Sequence, residues 1–220
     1  MPATVDGMNE QGGLRARKKE RTHQAISEAA ISLFLDLGYD RVSVADVAAA
    51  AEVSKPTLFR YFPTKEDLVL HRFADHQGEA ARVVRDRAPG ESPLTALHRH
   101  FRSGLGERNP VTGLNDHPQV LAFLSLVYST PSLQARLVRF SAQDQDALTE
   151  ALREAAATGP HDVVPRLAAT QFVAVHQVLA HENWHKIASG RTADEVYAEA
   201  LKDADRAFHL LATGLTGPYG

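Results

Sequence analysis

The chain has 220 residues, 44% of them hydrophobic and 23% charged, with a formal net charge of −3 and no cysteine. That composition allows one large domain or a small domain joined to a larger one, and it excludes disulfides, thiol catalysis and cysteine-based zinc sites. No apolar run reaches the length of a membrane span, and the opening MPATVDGMNEQGG lacks the basic-then-apolar order of a secretory signal, so a cytoplasmic location is expected.

Residues 1–13 are polar and aperiodic and read as a disordered arm. From Arg17 the apolar positions Ile26, Ala29, Ala30, Leu33, Phe34 and Leu37 fall at helical spacing, and Gly38 follows where a helix C′ residue belongs. Ser43 can cap a short second helix, and Ser54 a third with Pro56 in its first turn. Pro63 stops that helix, and Thr64 with Asp67 resembles a capping box that opens a connecting helix expected to run to about residue 88. Beyond it, segments near 92–105, 117–129, 131–157, 163–188 and 192–214 carry helical apolar spacing between Gly and Pro punctuators, and no stretch alternates with period two. The fold class expected is all-α, with a small N-terminal helical unit over 14–70 and a larger helical domain over 71–220.

Charge is unevenly spread. Residues 14–72 hold 10 Lys/Arg against 8 Asp/Glu, and Arg15, Arg17, Lys18, Lys19 and Arg21 lie close together. By itself such a run is either a solvated helix start or a phosphate-contacting arm. The segment SVADVAAAAEVSKPTLFRYFPTKEDL is more specific. Its order fits a helix that crosses the DNA backbone, a tight turn, and a second helix that enters a major groove. Alanine-rich Ala48 and Ala49 would let the two helices approach, and Val53 would anchor the turn. Lys55, Thr57, Arg60 and Tyr61 can reach bases and phosphates. Leu58 and Phe62 would face the core, and Phe59 could point either way.

These residues resemble the tetracycline-repressor (TetR) family pattern: Gly38-Tyr39, then Ser43 through Leu68 with nearly every position filled acceptably, over about residues 17–70. The resemblance implies a homodimer that binds a double-stranded operator, a divergent effector-binding C-terminal domain, and no enzymatic activity or cofactor. It implies that Ser43 and Lys65 contact phosphates at helix N-termini. Ser54, Lys55, Thr57, Phe59, Arg60 and Tyr61 would line the groove, and Arg17 and Lys18 would reach nearby phosphates or the minor groove.

A second motif competes. His181-Glu182-Asn183-Trp184-His185 matches H-E-x-x-H, which in zinc peptidases places two ligands one turn apart with a glutamate base. It lies in an all-helical chain rich in histidine with no strand to align a peptide, so no metal site is assigned, although a metal-binding or hydrolytic protein remains an alternative. A helical ligand carrier or adaptor without DNA binding is another.

The family resemblance assigns the region after about residue 72 to effector binding and dimerisation. The helices near 163–188 and 192–214 are expected to pair between subunits. One would use the face of Leu167, Thr170, Ala174, Gln177, Val178 and Ile187, the other that of Val196, Ala200, Ala204, Phe208 and Leu211. Alternatively these faces complete the subunit core. Candidate pocket residues are Phe101, Phe123, Val127, Tyr128, Phe140, Phe172, His176 and Trp184, whose tone suggests a small lipophilic or aromatic effector.

Overall fold

A computed structural model describes residues 7–74 and 76–214. Among the described residues every regular element is helical, with no strand. Helix α1 spans Gly7–Leu37, α2 Val44–Ala50, α3 Lys55–Tyr61, α4 Asp67–Ala74 and α5 Glu79–Arg85. Then follow α6 Pro93–Gly106, α7 Pro118–Ser129, α8 Pro131–Ala156, α9 Val164–Ala188 and α10 Ala193–Thr213, with short 3₁₀ turns at Tyr39–Arg41 and Pro110–Thr112.

The elements end where local chemistry ends them. The side chains of Ser43, Ser54, Ser92 and Thr192 cap α2, α3, α6 and α10 by accepting a backbone N–H three residues on. Proline occupies the first turn of α3, α6, α7, α8 and α9, where the missing N–H costs nothing.

Three expectations change. Helix α1 begins at Gly7, inside the segment read as a disordered arm. Ten of the residues from 7 to 20 are good helix formers or charged side chains that solvate a helix, and they outweigh Gly12 and Gly13; residues 1–6 lie outside the described residues. The single connecting helix expected over 64–88 is two helices. Gly78 sits at φ 69°, ψ 9°, the left-handed region that glycine enters without a Cβ penalty, and it turns the chain between α4 and α5. The α10 residues Val196, Ala200, Ala204 and Phe208 are between 0% and 3% exposed and pack with Leu97 and Phe101 of α6, so that face completes the subunit core.

Two apolar cores result. One joins Ile26, Ala30 and Phe34 of α1 to Val47, Leu58, Phe62 and Leu68–Leu70, and continues into Phe123, Val127 and Leu133 of α7 and α8. The other joins α5, α6, α8, α9 and α10. Helix α4 therefore crosses the boundary expected at residue 70, and its N-terminal half is locked into the first core. The turn after α6 is pressed on α9: a Cβ at Gly113, φ +72°, would lie 1.8 Å from the Ala180 carbonyl oxygen, so only glycine fits there.

Candidate nucleic-acid interface and ligand cavity

The short helices α2 and α3 are set by their caps. The Ser43 hydroxyl accepts from the Asp46 amide at 3.2 Å, and Asp46 Oδ2 accepts from the Ser43 amide at 2.8 Å and its hydroxyl at 2.7 Å. These bonds, the backbone one first, hold the Asp46 carboxyl below the usual carboxylate range. Ser54 Oγ accepts from the Thr57 amide at 3.2 Å and lies 2.9 Å from Thr57 Oγ1. Between the helices Glu52 takes φ 53°, and the Val53 amide closes on the Ala48 carbonyl at 2.9 Å.

This geometry sorts the expected contact residues. Leu58 and Phe62 are buried at 0% and 1%, as the sequence indicates. Phe59 points outward at 47% exposure, beside exposed Lys55 and Arg60, with Thr57 and Tyr61 half-buried at the edge. The Arg60 guanidinium lies 5.6 Å from the Tyr61 ring centre. Arg17 and Lys18 are exposed on α1. Of the two small residues in α2, Ala48 is buried at the helix crossing while Ala49 faces solvent. Two residues expected at phosphates are engaged inside the fold. The Ser43 hydroxyl donates to Asp46, and Lys65 Nζ donates to the Tyr39 carbonyl at 2.6 Å while sitting 4.1 Å from the Tyr39 ring centre. Lys65 thus locks the turn after α1, and any phosphate contact from it would use its remaining N–H groups.

A cavity of about 420 Å³ opens among α4, α5, α6, α8 and α9. Five of the eight expected pocket residues line it: Phe101, Tyr128, Phe140, Phe172 and His176. Three do not. Phe123 packs on Phe73 and faces a second cavity near α1, Val127 is fully buried in the first core, and Trp184 lies behind Tyr128 with the rings tilted and their centres 4.6 Å apart. All three side chains are largely apolar, which suits core and pocket alike.

The polar side of the cavity was missed by sequence reasoning. His76 Nδ1 and His100 Nε2 lie 2.8 Å and 3.0 Å from the two carboxylate oxygens of Glu79. The hydrogen bond from His100, then that from His76, pulls the Glu79 carboxyl down to about 2 against its desolvation. Asp144 Oδ1 accepts from the Gly78 amide at 2.9 Å, and burial pushes its carboxyl up. His176 is set against Phe101 edge-on at 5.3 Å, and desolvation lowers its imidazole to about 4, so it is neutral. The i, i+3 spacing of His76 and Glu79 is visible in the sequence, but the meeting with His100 and Asp144 is purely tertiary.

The cavity is mechanically joined to α4. Phe73 and His76, at its end, line both cavities. The Arg136 guanidinium of α8 holds Asp67 Oδ1, at the start of α4, at 2.8 and 3.0 Å.

The H-E-x-x-H segment has a packing role. Asn183 is 2% exposed and donates to the Thr112 carbonyl at 2.9 Å, while His181 leans edge-on against Tyr128 at 5.0 Å. Among the described residues no three His, Cys, Asp or Glu side chains converge in a metal-ligating arrangement. No described helix is long and apolar enough to cross a membrane.

Comparison with known proteins gives two family matches. Residues 26–71 match the family model for bacterial regulatory proteins of the tetR family, and residues 93–216 match the MftR C-terminal domain. The chain is 32% identical over 198 residues to the HTH-type transcriptional regulator TcmR of Streptomyces glaucescens, covering 88% of this chain and 87% of that one. It is 28% identical over 145 residues to the HTH-type transcriptional repressor LfrR of Mycolicibacterium smegmatis, covering 64% and 69%. In fold it is similar to NalD, the secondary repressor of the MexAB-OprM multidrug efflux pump in Pseudomonas aeruginosa, with TM-score 0.57, 19% identity and coverage of 86% and 97%. A SmeT–triclosan complex is similar at TM-score 0.56 and 17% identity, covering 87% and 90%.

Proposed function

The chain belongs to the tetR family of bacterial regulatory proteins and is a transcriptional regulator, not an enzyme; on that premise we propose that it is a homodimeric repressor released from a palindromic operator by a small lipophilic effector. Two α3 helices, one per protomer, enter successive major grooves about 34 Å apart. Phe59, Arg60, Thr57 and Tyr61 read base edges there, while Lys55, Arg17 and Lys18 meet phosphates. The small charge surplus of residues 14–72 means that affinity rests on these few residues and on pairing of protomers.

Dimerisation is assigned to α9. Leu167 and Val178 are 52% and 61% exposed on its outer face, with Ala174 between them. They form an apolar stripe that a second copy would cover.

The observation that carries the effector reading is the cavity's wall. Phe73, His76 and Glu79 belong both to it and to the α4–α5 segment that leads from the DNA-reading unit. A ligand that prefers a different setting of this wall shifts the spacing of the two α3 helices, and only that difference in affinity can release DNA. The SmeT structure solved with triclosan supports an apolar aromatic occupant of such folds.

In vitro selection from a random duplex pool tests the reading. It should recover a palindrome with half-sites one helical turn apart, and apolar compounds that raise the protein's Tm should release that duplex. Recovery of no preferred sequence would overturn it.

A further inference from the structure

The cavity wall contains Glu79 and Asp144 but, among the described residues, no lysine or arginine. Both oxygens of Glu79 are bonded, by His76 and His100, and Asp144 Oδ1 accepts from the Gly78 amide. Gln177 is likewise engaged, its Nε2 donating to Ser141 Oγ at 2.5 Å. By contrast the His176 imidazole is set against the rings of Phe101 at 5.3 Å and Phe172 at 6.1 Å, and no hydrogen bond among the described residues reaches either of its nitrogens. The Tyr128 hydroxyl, on the same wall, is also without a hydrogen bond there. Polar groups in apolar surroundings are ordinarily satisfied, so these two mark where a partner is missing.

Building on the effector reading above, we propose that the effector is an uncharged aromatic molecule carrying a hydroxyl group that hydrogen-bonds His176, and that the cavity rejects ligands of the same shape bearing a carboxylate or phosphate. A neutral imidazole presents one donor and one acceptor, which matches a hydroxyl in either role. Phe101, Phe140 and Phe172 supply flat apolar walls for the ring system. An anionic ligand would shed its hydration without meeting a lysine or arginine, would find the His76 and His100 imidazoles already bonded to Glu79, and would lie near that ionised carboxylate. An ammonium would have to compete with His76 and His100 for Glu79 and with the Gly78 amide for Asp144.

The test uses four fluorescent probes of one shape at pH 7: pyrene, 1-hydroxypyrene, 1-pyrenecarboxylate and 1-pyrenemethylammonium. Wild-type protein should bind 1-hydroxypyrene at least about fivefold tighter than pyrene, a gain expected of one hydrogen bond, and at least about tenfold tighter than the carboxylate or the ammonium. His176→Phe should remove the preference for 1-hydroxypyrene over pyrene while leaving pyrene affinity within about twofold, and His176→Gln should restore part of it. Pyrene affinity also reports that each variant keeps its cavity. Equal or tighter binding of the carboxylate or ammonium, or an unchanged hydroxyl preference in His176→Phe, overturns the inference while leaving the cavity as an effector site. If no probe binds at all, the effector reading of the cavity falls with it.

Discussion

Gly78 donates its amide to Asp144 Oδ1 across 2.9 Å, pinning the break between α4 and α5 to the middle of α8. Eight residues earlier on α8, Arg136 grips Asp67 at the start of α4. One helix thus holds both the start of α4 and the turn that follows it, on either side of the cavity-lining Phe73. Gly78→Ala should strain this arrangement, because alanine is disfavoured at φ 69°. A loss of about 1–2 kcal/mol is expected, read as a Tm lower by about 2–8 °C for a chain of this size. An unchanged Tm would mean that the turn is not held in the left-handed region.

The Glu79 cluster makes stability depend on pH on the acid side. Its folded carboxyl lies near 2 against an ordinary 4.5, chiefly through the His100 hydrogen bond. The native state therefore binds fewer protons there than the unfolded chain. The stabilisation is complete above the ordinary value and fades as pH falls toward 2. Wild type should lose about 1–2 kcal/mol more than Glu79→Gln between about pH 5.5 and pH 3. Parallel loss in both proteins, measured by urea unfolding, would show that the cluster is not coupled to folding.

Glu52, in the turn between α2 and α3, carries a side chain at φ 53° where glycine would sit without strain. Glu52→Gly should stabilise the fold by about 0.5–1 kcal/mol, raising Tm by about 1–4 °C. A lower Tm would mean that the Glu52 side chain holds the turn in a way its backbone geometry does not reveal.

The α9 stripe should set the oligomeric state. Leu167→Glu with Val178→Glu places two charges on that face and should give monomers in sedimentation, with operator affinity at least tenfold weaker because both half-sites can no longer be held together (about 1.4 kcal/mol or more). An intact dimer would move the interface elsewhere.

Much of this architecture was legible in the chain. The ends of α6, α7, α8, α9 and α10 fall within a residue or two of where Ser92, Pro118, Pro131, Gly190 and Thr192 placed them, because caps and prolines act locally. Helix α3 was legible for the same reason, together with the apolar spacing of Leu58 and Phe62. What escaped was tertiary. An apolar face on α10 carries no mark that its partner is α6 of the same subunit and not a second copy. Gly78 stands openly in the sequence, but a glycine inside a helical pattern is a break only when something such as Asp144 holds the turned chain. Phe101 and Val127 look alike until the cavity is seen to reach one and not the other.

The central claim, that the outer face of α3 reads DNA, is tested most directly by the affinity of the selected operator duplex for wild type, Phe59→Ala, Arg60→Ala and Leu58→Ala, measured by fluorescence anisotropy alongside Tm. Phe59 and Arg60 are exposed and Leu58 is fully buried. The first two variants should bind about 5- to 100-fold more weakly, a loss of about 1–3 kcal/mol, with Tm within about 1 °C of wild type. Leu58→Ala should instead lose about 2–5 kcal/mol of stability. Wild-type affinity for the operator in both Phe59→Ala and Arg60→Ala would contradict the account.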